Sequence, residues 1–320
     1  MTASTEGSST LAPVQEMPPV TVVVPTRGRR ELVRLSVAGI VGQRYRGHIE
    51  CIVVHDQENP DSSLETMSRP GRHVVVMANN GHPGLAGSRN AGLGRATTDL
   101  LASCDDDDSW LPDKLQLQVE RLLQHPEMLV VGAGIRLVMG PDRVVEWLGS
   151  SDVVSQADLL RSRRKELHSS TLVMRRRAFD LAGGYDEQLP QSYAEDYEWL
   201  LRASRFGSIG VVREPLASIK KDGQSWFRER AEVVAEALEY MLRTHPEIRA
   251  SRRGHARILG QIAFAKASLG ERRAALTWIG RSLSRWPAAP QAGLALVQVV
   301  LGVDPRRLLR YARLVGRGLS

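Results

Sequence analysis

Four consecutive aspartates, Asp105–Asp108, follow the apolar run Leu100–Cys104 and precede Trp110-Leu111-Pro112-Asp113-Lys114-Leu115. Carboxylates this close repel one another unless a cation neutralises them, and an all-oxygen donor set suits a hard divalent ion, Mg2+ or Mn2+. The alternative reading is a solvated acidic loop that caps the next helix. A calcium loop is excluded, because the run lacks the alternating spacing, central glycine and terminal glutamate such a loop needs. A second acidic pair, Glu195-Asp196, opens the amphipathic stretch Ala194–Phe206. A carboxylate at a helix start stays ionised in the helix dipole, which suits a general base and also suits a plain N-terminal acid.

The elements that must position these groups are legible in the same pattern. Short apolar runs at Thr21–Val24, Ile49–Val54, His73–Met77 and Leu100–Cys104 alternate with helical stretches at Glu31–Val41 and Leu85–Ala96. Continuous apolar strands separated by helices predict an α/β fold with a mostly parallel sheet. Ligands of such sheets bind beyond the carboxyl ends of the strands. The residues there are Pro25-Thr26-Arg27, His55-Asp56, Asn79-Asn80-Gly81 and Asp105–Asp108, so polar groups collect along one edge. Further on, the pattern predicts a helix over Pro112–Gln124, strands at Met128–Met139 and Ser169–Met174, and a helix over Arg175–Ala182 stopped by Gly183-Gly184. Two closing strands are expected at Ile209–Val212 and Leu216–Ile219. From Trp226 onward the chain reads as helix, broken at Pro246, Gly270, Pro287 and Pro305.

Five segments in order carry a family resemblance: Val23-Val24-Pro25-Thr26; Asn80 with Ser88-Arg89-Asn90-Ala91-Gly92; Asp105–Asp108 with Trp110–Leu115; Gly183-Gly184-Tyr185-Asp186-Glu187; and Glu195-Asp196-Tyr197-Glu198-Trp199 with Leu200-Leu201-Arg202. Together, over roughly residues 20–222, they resemble family-2 glycosyltransferases. The resemblance implies the GT-A fold, a Rossmann-like central sheet flanked by helices, and inverting transfer of a sugar from a nucleotide-diphospho-sugar, uridine-based by preference, with Mn2+ or Mg2+. It implies that Pro25, Thr26, Arg27 and Asp56 line the base and ribose pocket, that Arg89 approaches the nucleotide or its phosphates, and that Asp105 and Asp106 face the donor. By the same resemblance Asp107 would hold the metal and Asp196 would be the general base on the acceptor hydroxyl. Glu195, His168 and Trp110 would be secondary or acceptor-side positions. Two departures stand out. His55 occupies a place where the family usually has an acid, and Lys220-Lys221-Asp222-Gly223-Gln224-Ser225 occupies the place of a late histidine, so that Asp222 would be the substitute oxygen ligand.

The formal net charge of +7 is distributed unevenly. Residues 251–320 hold twelve arginines and Lys266 against only Glu271 and Asp304, which leaves the rest of the chain slightly acidic. The organisation expected is therefore a disordered lead-in over 1–18, a catalytic region over 19–224 and a basic helical region over 225–320, partly tetratricopeptide-like. Such a tail fits docking on the catalytic region, homo-oligomerisation or an anionic membrane surface. Basic residues without aromatic interleaving argue against nucleic acid. No apolar run is long enough to span a bilayer, and the amino terminus has no apolar signal core, so a cytoplasmic protein, peripheral on the inner membrane face at most, is expected. Cys51 and Cys104 sit in apolar runs and read as buried free thiols. The acceptor expected is a saccharide, a lipid-linked intermediate or a small-molecule hydroxyl. Two competing readings are a nucleotide-binding scaffold without turnover and a sugar nucleotidyltransferase. The second would want a glycine-rich loop after the first strand, where only Gly28 is found.

Overall fold

The computed structural model describes residues 17–140, 143–220, 231–305 and 307–308. Most of the expected lead-in, and Asp222, lie outside them. The first half alternates as its pattern dictates: β1 (Val20–Thr26), α1 (Arg30–Val41), β2 (Ile49–His55), β3 (Arg72–Ala78), α2 (Leu85–Arg95) and β4 (Leu100–Ser103). Next come β5 (Ser109–Trp110), α3 (Lys114–Gln124), β6 (Val130–Val138), β7 (Val144–Trp147), β8 (Val153–Val154), α4 (Gln156–Arg161), β9 (Val173–Arg175), α5 (Arg176–Ala182), α6 (Glu195–Ala203) and β10 (Ile209–Lys220). The tail is helical: α7 (Ala231–Thr244), α8 (Pro246–Ala250), α9 (Arg252–Ser268), α10 (Arg272–Arg285) and α11 (Pro290–Leu301).

The strands form one sheet in the order β3-β2-β1-β4-β9-β6-β10-β5, with β7 beside β6 and β8 beside β10. Pairings β1–β2, β2–β3, β1–β4 and β6–β10 are parallel, and β9 runs antiparallel between β4 and β6. Strand alternation sorts side chains onto two cores. Val20, Val22 and Val24 of β1, with Ile49, Cys51 and Val53 of β2, pack against α1 and α3. Val23, Ile52 and Val54 face the other way, onto the core that holds α2, α6, α7 and α9. Three tail helices, α7, α8 through Ile248, and α9, thus share the main core with the sheet, while α10 and α11 close over α9 in a smaller cluster around Phe264, Ile279 and Ala295. The expected boundary at 224/225 lies outside the described residues.

Several elements differ from the sequence pattern for identifiable reasons. The stretch expected as one strand over Ser169–Met174 begins with a 3-10 turn, Ser169–Thr171, and only then enters β9. Its hydroxyls are committed to local and cross-chain bonds, Thr171 Oγ1 to Glu166 O and Ser170 Oγ to Asp108, which compete with a ladder. The two closing strands are one, β10, with register shifts between Val212 and Ala217. The helix expected from Pro112 begins at Lys114, and ahead of it Ser109 and Trp110 pair with Ser218 and Ala217 of β10. The pattern missed β7, β8 and α4, which are too short for periodicity to register.

A buried histidine–glutamate cluster ties the tail to α6. His245, after α7, is buried with Nε2 3.0 Å from Glu198 Oε1 and Nδ1 3.1 Å from Glu247 Oε1. Burial lowers the imidazole pKa, but the two carboxylates outweigh it and raise the value above 6.5. The protonated form is therefore the one the fold favours. Its contribution is full below the unfolded value near 6.5 and fades as pH rises through the folded value. His245→Gln should destabilise the protein by about 1–3 kcal/mol in mildly acid buffer and by less in alkaline buffer, measured by urea unfolding at several pH values.

Candidate active site

The carboxyl ends of β1, β2, β3 and β4 lie side by side in register, Val24 opposite Val53 and Val53 opposite Val76. The chain leaves each of them carrying polar groups, and α2 brings a further one from below. Gly92 lets α2 lie against the sheet, since a Cβ there would stand 2.5 Å from Val23 Cγ1. Close approach seats Arg89, one turn earlier, fully buried beneath the strand ends.

Arg89 organises the acidic groups. Its guanidinium pairs with both Asp105 and Glu195, and its Nε donates to Ser103 Oγ at 3.3 Å. Expected beside the nucleotide, Arg89 instead lies under the site, with no exposed surface. Burial raises the Asp105 carboxyl, but Arg89 pulls it below the usual range. Burial also lifts Asp106, Asp107 and Asp108, each with Asp105 as a further repulsive neighbour, and Asp108 is pushed well above its ordinary value.

Each aspartate has its own partners. Asp106 accepts from Thr26 Oγ1 at 2.8 Å and Arg29 Nη1 at 2.9 Å, and Asp107 accepts from the same Arg29 nitrogen at 3.0 Å. Asp108 accepts from Ser170 Oγ at 2.6 Å and from the Lys220 N–H at 3.1 Å. Asp105 accepts from Ser169 Oγ at 3.0 Å. Ligand atoms of Asp105, Asp108 and His168 lie within 4.8 Å of one another. Burial keeps the His168 imidazole pKa low, so it is neutral and able to ligate. Two carboxylates and an imidazole fit a divalent metal, and the raised pKa of Asp108 is a shift that a cation would reverse. Asp107 stands apart from that trio, beside Arg29 and more open to solvent than its neighbours.

The pair on α6 is equally specific. Asp196 is buried and takes both its oxygens to Arg163 Nη2, at 2.7 and 2.9 Å. Burial raises its carboxyl, but Arg163 and Arg89 overcome this and hold it low. Glu195, beside it, is pushed up to about 7 by burial and by Asp196, against the pull of Arg89.

The remaining expected positions divide into open and structural ones. Arg27 and Pro25-Thr26 are at the strand edge, with Arg27 exposed and 3.8 Å from Asp56. Asp56 binds Asn79 Nδ2 and the Gly84 N–H, both at 3.0 Å, and Gly84 reaches that position with a φ of +104° that favours glycine. His55 is a tether. Its Nε2 accepts the Asp61 N–H at 3.3 Å, so Nδ1 carries the proton towards Glu58 at 2.9 Å. Trp110 is buried, donates Nε1–H to Ser170 O at 2.8 Å and stacks beneath Lys114. Sequence reasoning did not single out Arg29, Arg163, Ser169 or Ser170 as contacts of the aspartates. Only the basic runs Arg27–Arg30 and Arg161–Lys165 hinted at the first two.

Comparison with known proteins bears on this arrangement. The family model described as glycosyl transferase family 2 matches residues 21–179. The UDP-Glc:alpha-D-GlcNAc-diphosphoundecaprenol beta-1,3-glucosyltransferase WfgD of Escherichia coli is 24% identical over 106 residues, 33% of this chain and 42% of its own. The match therefore spans less than half the length of that relative. Staphylococcus aureus TarS 1-349 in complex with UDP-GlcNAc superposes with a TM-score of 0.60 at 16% identity, over 93% of this chain and 92% of that one. The mannosyltransferase PcManGT from Pyrobaculum calidifontis, in complex with GDP-Man and Mn2+, gives a TM-score of 0.56 at 18% identity, over 92% and 83%. At these identities the two structures speak for the fold alone.

Proposed function

Since the chain belongs to glycosyltransferase family 2 and has its GT-A fold, we propose that it transfers a sugar, with inversion, from a nucleotide-diphospho-sugar to an acceptor hydroxyl. The observation that carries this reading is the pairing of Asp105, from the acidic run, and Glu195, from the start of α6, with one buried arginine at the carboxyl edge of the sheet. The donor is a uridine-based nucleotide sugar lying along Pro25–Arg27 and Asp56. Asp105 and Asp106 face its ribose and diphosphate, and Arg29 is near enough to Asp106 and Asp107 to share that charge.

The acceptor oxygen attacks the anomeric carbon from the face opposite the leaving diphosphate. Its proton passes to the Asp196 carboxylate as the new bond forms. Glu195, linked to Arg89, fixes the start of α6 and so the direction in which Asp196 points. Asp105, Asp108 and His168 are the residues that would hold Mn2+ or Mg2+, with Asp107 beside them in the same acidic run, and the ion when bound would offset charge on the departing diphosphate. The acceptor enters from the Arg163–His168 side, and a saccharide, a lipid-linked intermediate or another hydroxyl compound meets the chemistry equally well.

The test is nucleoside diphosphate release from a panel of sugar nucleotides, with and without candidate acceptors. Release should vanish with a chelator and return with Mn2+ or Mg2+. Asp107→Ala should raise the metal concentration needed for half-maximal rate by about 10–100-fold, the range seen when groups supporting a metal site are lost. Full activity of the metal-free protein would rule the reading out.

A further inference from the structure

The helical tail encloses a cleft of about 530 Å3 that the proposed reaction does not use, a volume in the range of small-ligand sites. Four helices line it. Glu239, Leu242 and Arg243, within one turn of each other, come from α7, and Arg249 comes from α8. His255 and Leu259 come from α9, and Trp278 and Arg281 from α10, again one turn apart in each helix. Pro246 starts a new helix between Arg243 and Arg249, so the chain turns there and brings both to the same cleft. Leu242 and Leu259 are buried and Trp278 is half-buried, while the three arginines are exposed.

Positive charge dominates the cleft. Among the described residues, Arg243, Arg249 and Arg281 have no carboxylate within ion-pair distance. Arg243 and Arg281 lie over the rings of Tyr240 and Trp278, 5.8 and 4.9 Å from their centroids. Burial, with Arg285 and Arg249, keeps the His255 imidazole low and so neutral, and its buried Nδ1 has no hydrogen-bond partner among the described residues. Guanidinium groups read carboxylate or phosphate through paired N–H donors. Glu239 is the one acid among the described lining residues, and it decides the rest of the ligand. It accepts from hydroxyl groups and repels further carboxylates. A saccharide with an acidic group supplies both the anion and the hydroxyls, and its CH faces suit the apolar residues. An acidic peptide would instead set a row of carboxylates against Glu239. Single-stranded nucleic acid wants free ring faces to stack on, but Arg281 covers one face of Trp278 and the ring packs against the core.

We propose that this cleft binds an acidic saccharide, a sugar unit or short chain carrying carboxylate or phosphate, at residues the catalytic edge does not use. The class follows from the lining of the cleft, so it stands or falls apart from the reading of the active site. The test is isothermal titration calorimetry of the full chain with trigalacturonate and glucose 6-phosphate, which separate carboxylate from phosphate. Maltotriose and hexaglutamate serve as comparisons. At least one of the two acidic sugars should bind, less tightly as salt is raised, and maltotriose should bind about tenfold more weakly or worse. The double substitution Arg249→Gln/Arg281→Gln should lower the affinity for the acidic sugar by about tenfold or more, since it removes two charge-assisted contacts. Its thermal melt should stay close to that of the parent, because both side chains are exposed. Unchanged affinity in the double variant, equal binding of maltotriose, or no binding of either acidic sugar would overturn the proposal. Tighter binding of hexaglutamate than of both acidic sugars would overturn it as well, in favour of an acidic peptide.

Discussion

Asp196→Asn is expected to lower turnover by about 10²–10⁴-fold, the usual worth of a placed general base, with little change in donor affinity. The amide keeps the shape and the place at the start of α6 but cannot take the acceptor proton. Arg163 sharpens the expectation. It holds both carboxylate oxygens, so Asp196 is ionised well below neutral pH. The same contact weakens it as a base, because an acceptor hydroxyl must compete with the guanidinium for those oxygens. Steady-state kinetics separate the outcomes: kcat falls while donor KM holds. An equal loss of donor affinity would mean that Asp196 serves the donor and not the acceptor.

Much of this site was legible in the sequence because strands announce themselves. The runs at β1, β2, β3 and β4 are apolar on both faces, so their ends could be located within a residue or two, and with them Thr26, Asp56 and the four aspartates. A residue just past a strand end in a parallel sheet is near the ligand by topology alone. Distances between remote segments were not legible. Nothing local to Arg89 says that it is buried, and it reads as well for a phosphate contact as for an internal counter-ion. Only the approach of α2 to β1, permitted by Gly92, puts it between Asp105 and Glu195. Arg163 stands in a basic run where any neighbour would have served the pattern equally. His168 became a partner of Asp108 because hydroxyl bonds from Ser169 and Ser170 turned an expected strand into a 3-10 turn. The tail was legible as helix and as basic, but α7 and α9 lie in the main core by virtue of contacts no periodicity encodes.

Arg89→Met tests the centre of the arrangement. The substitution keeps apolar volume beneath the strands but leaves Asp105 and Glu195 without their shared cation, in a place where Asp196 is also buried. Removing one partner of a buried ion pair costs about 3–5 kcal/mol, because the remaining charge loses its compensation. The pH dependence has a definite sign. In the parent, Arg89 helps hold the Asp105 carboxyl below its ordinary value, which contributes stability above the unfolded pKa that is lost as pH falls through the folded one. Without Arg89, burial and mutual repulsion raise these carboxyls, so the folded variant takes up protons more readily than the unfolded chain. Its deficit relative to the parent should therefore be greatest at neutral and alkaline pH and shrink in mild acid. Urea unfolding of both proteins across that range measures it. Adding Glu195→Gln to the variant should recover part of the loss, since it removes one uncompensated charge, and the double-mutant cycle gives the coupling directly. A variant that unfolds like the parent at every pH would mean that the two carboxylates are solvated and that Arg89 does not hold the edge together.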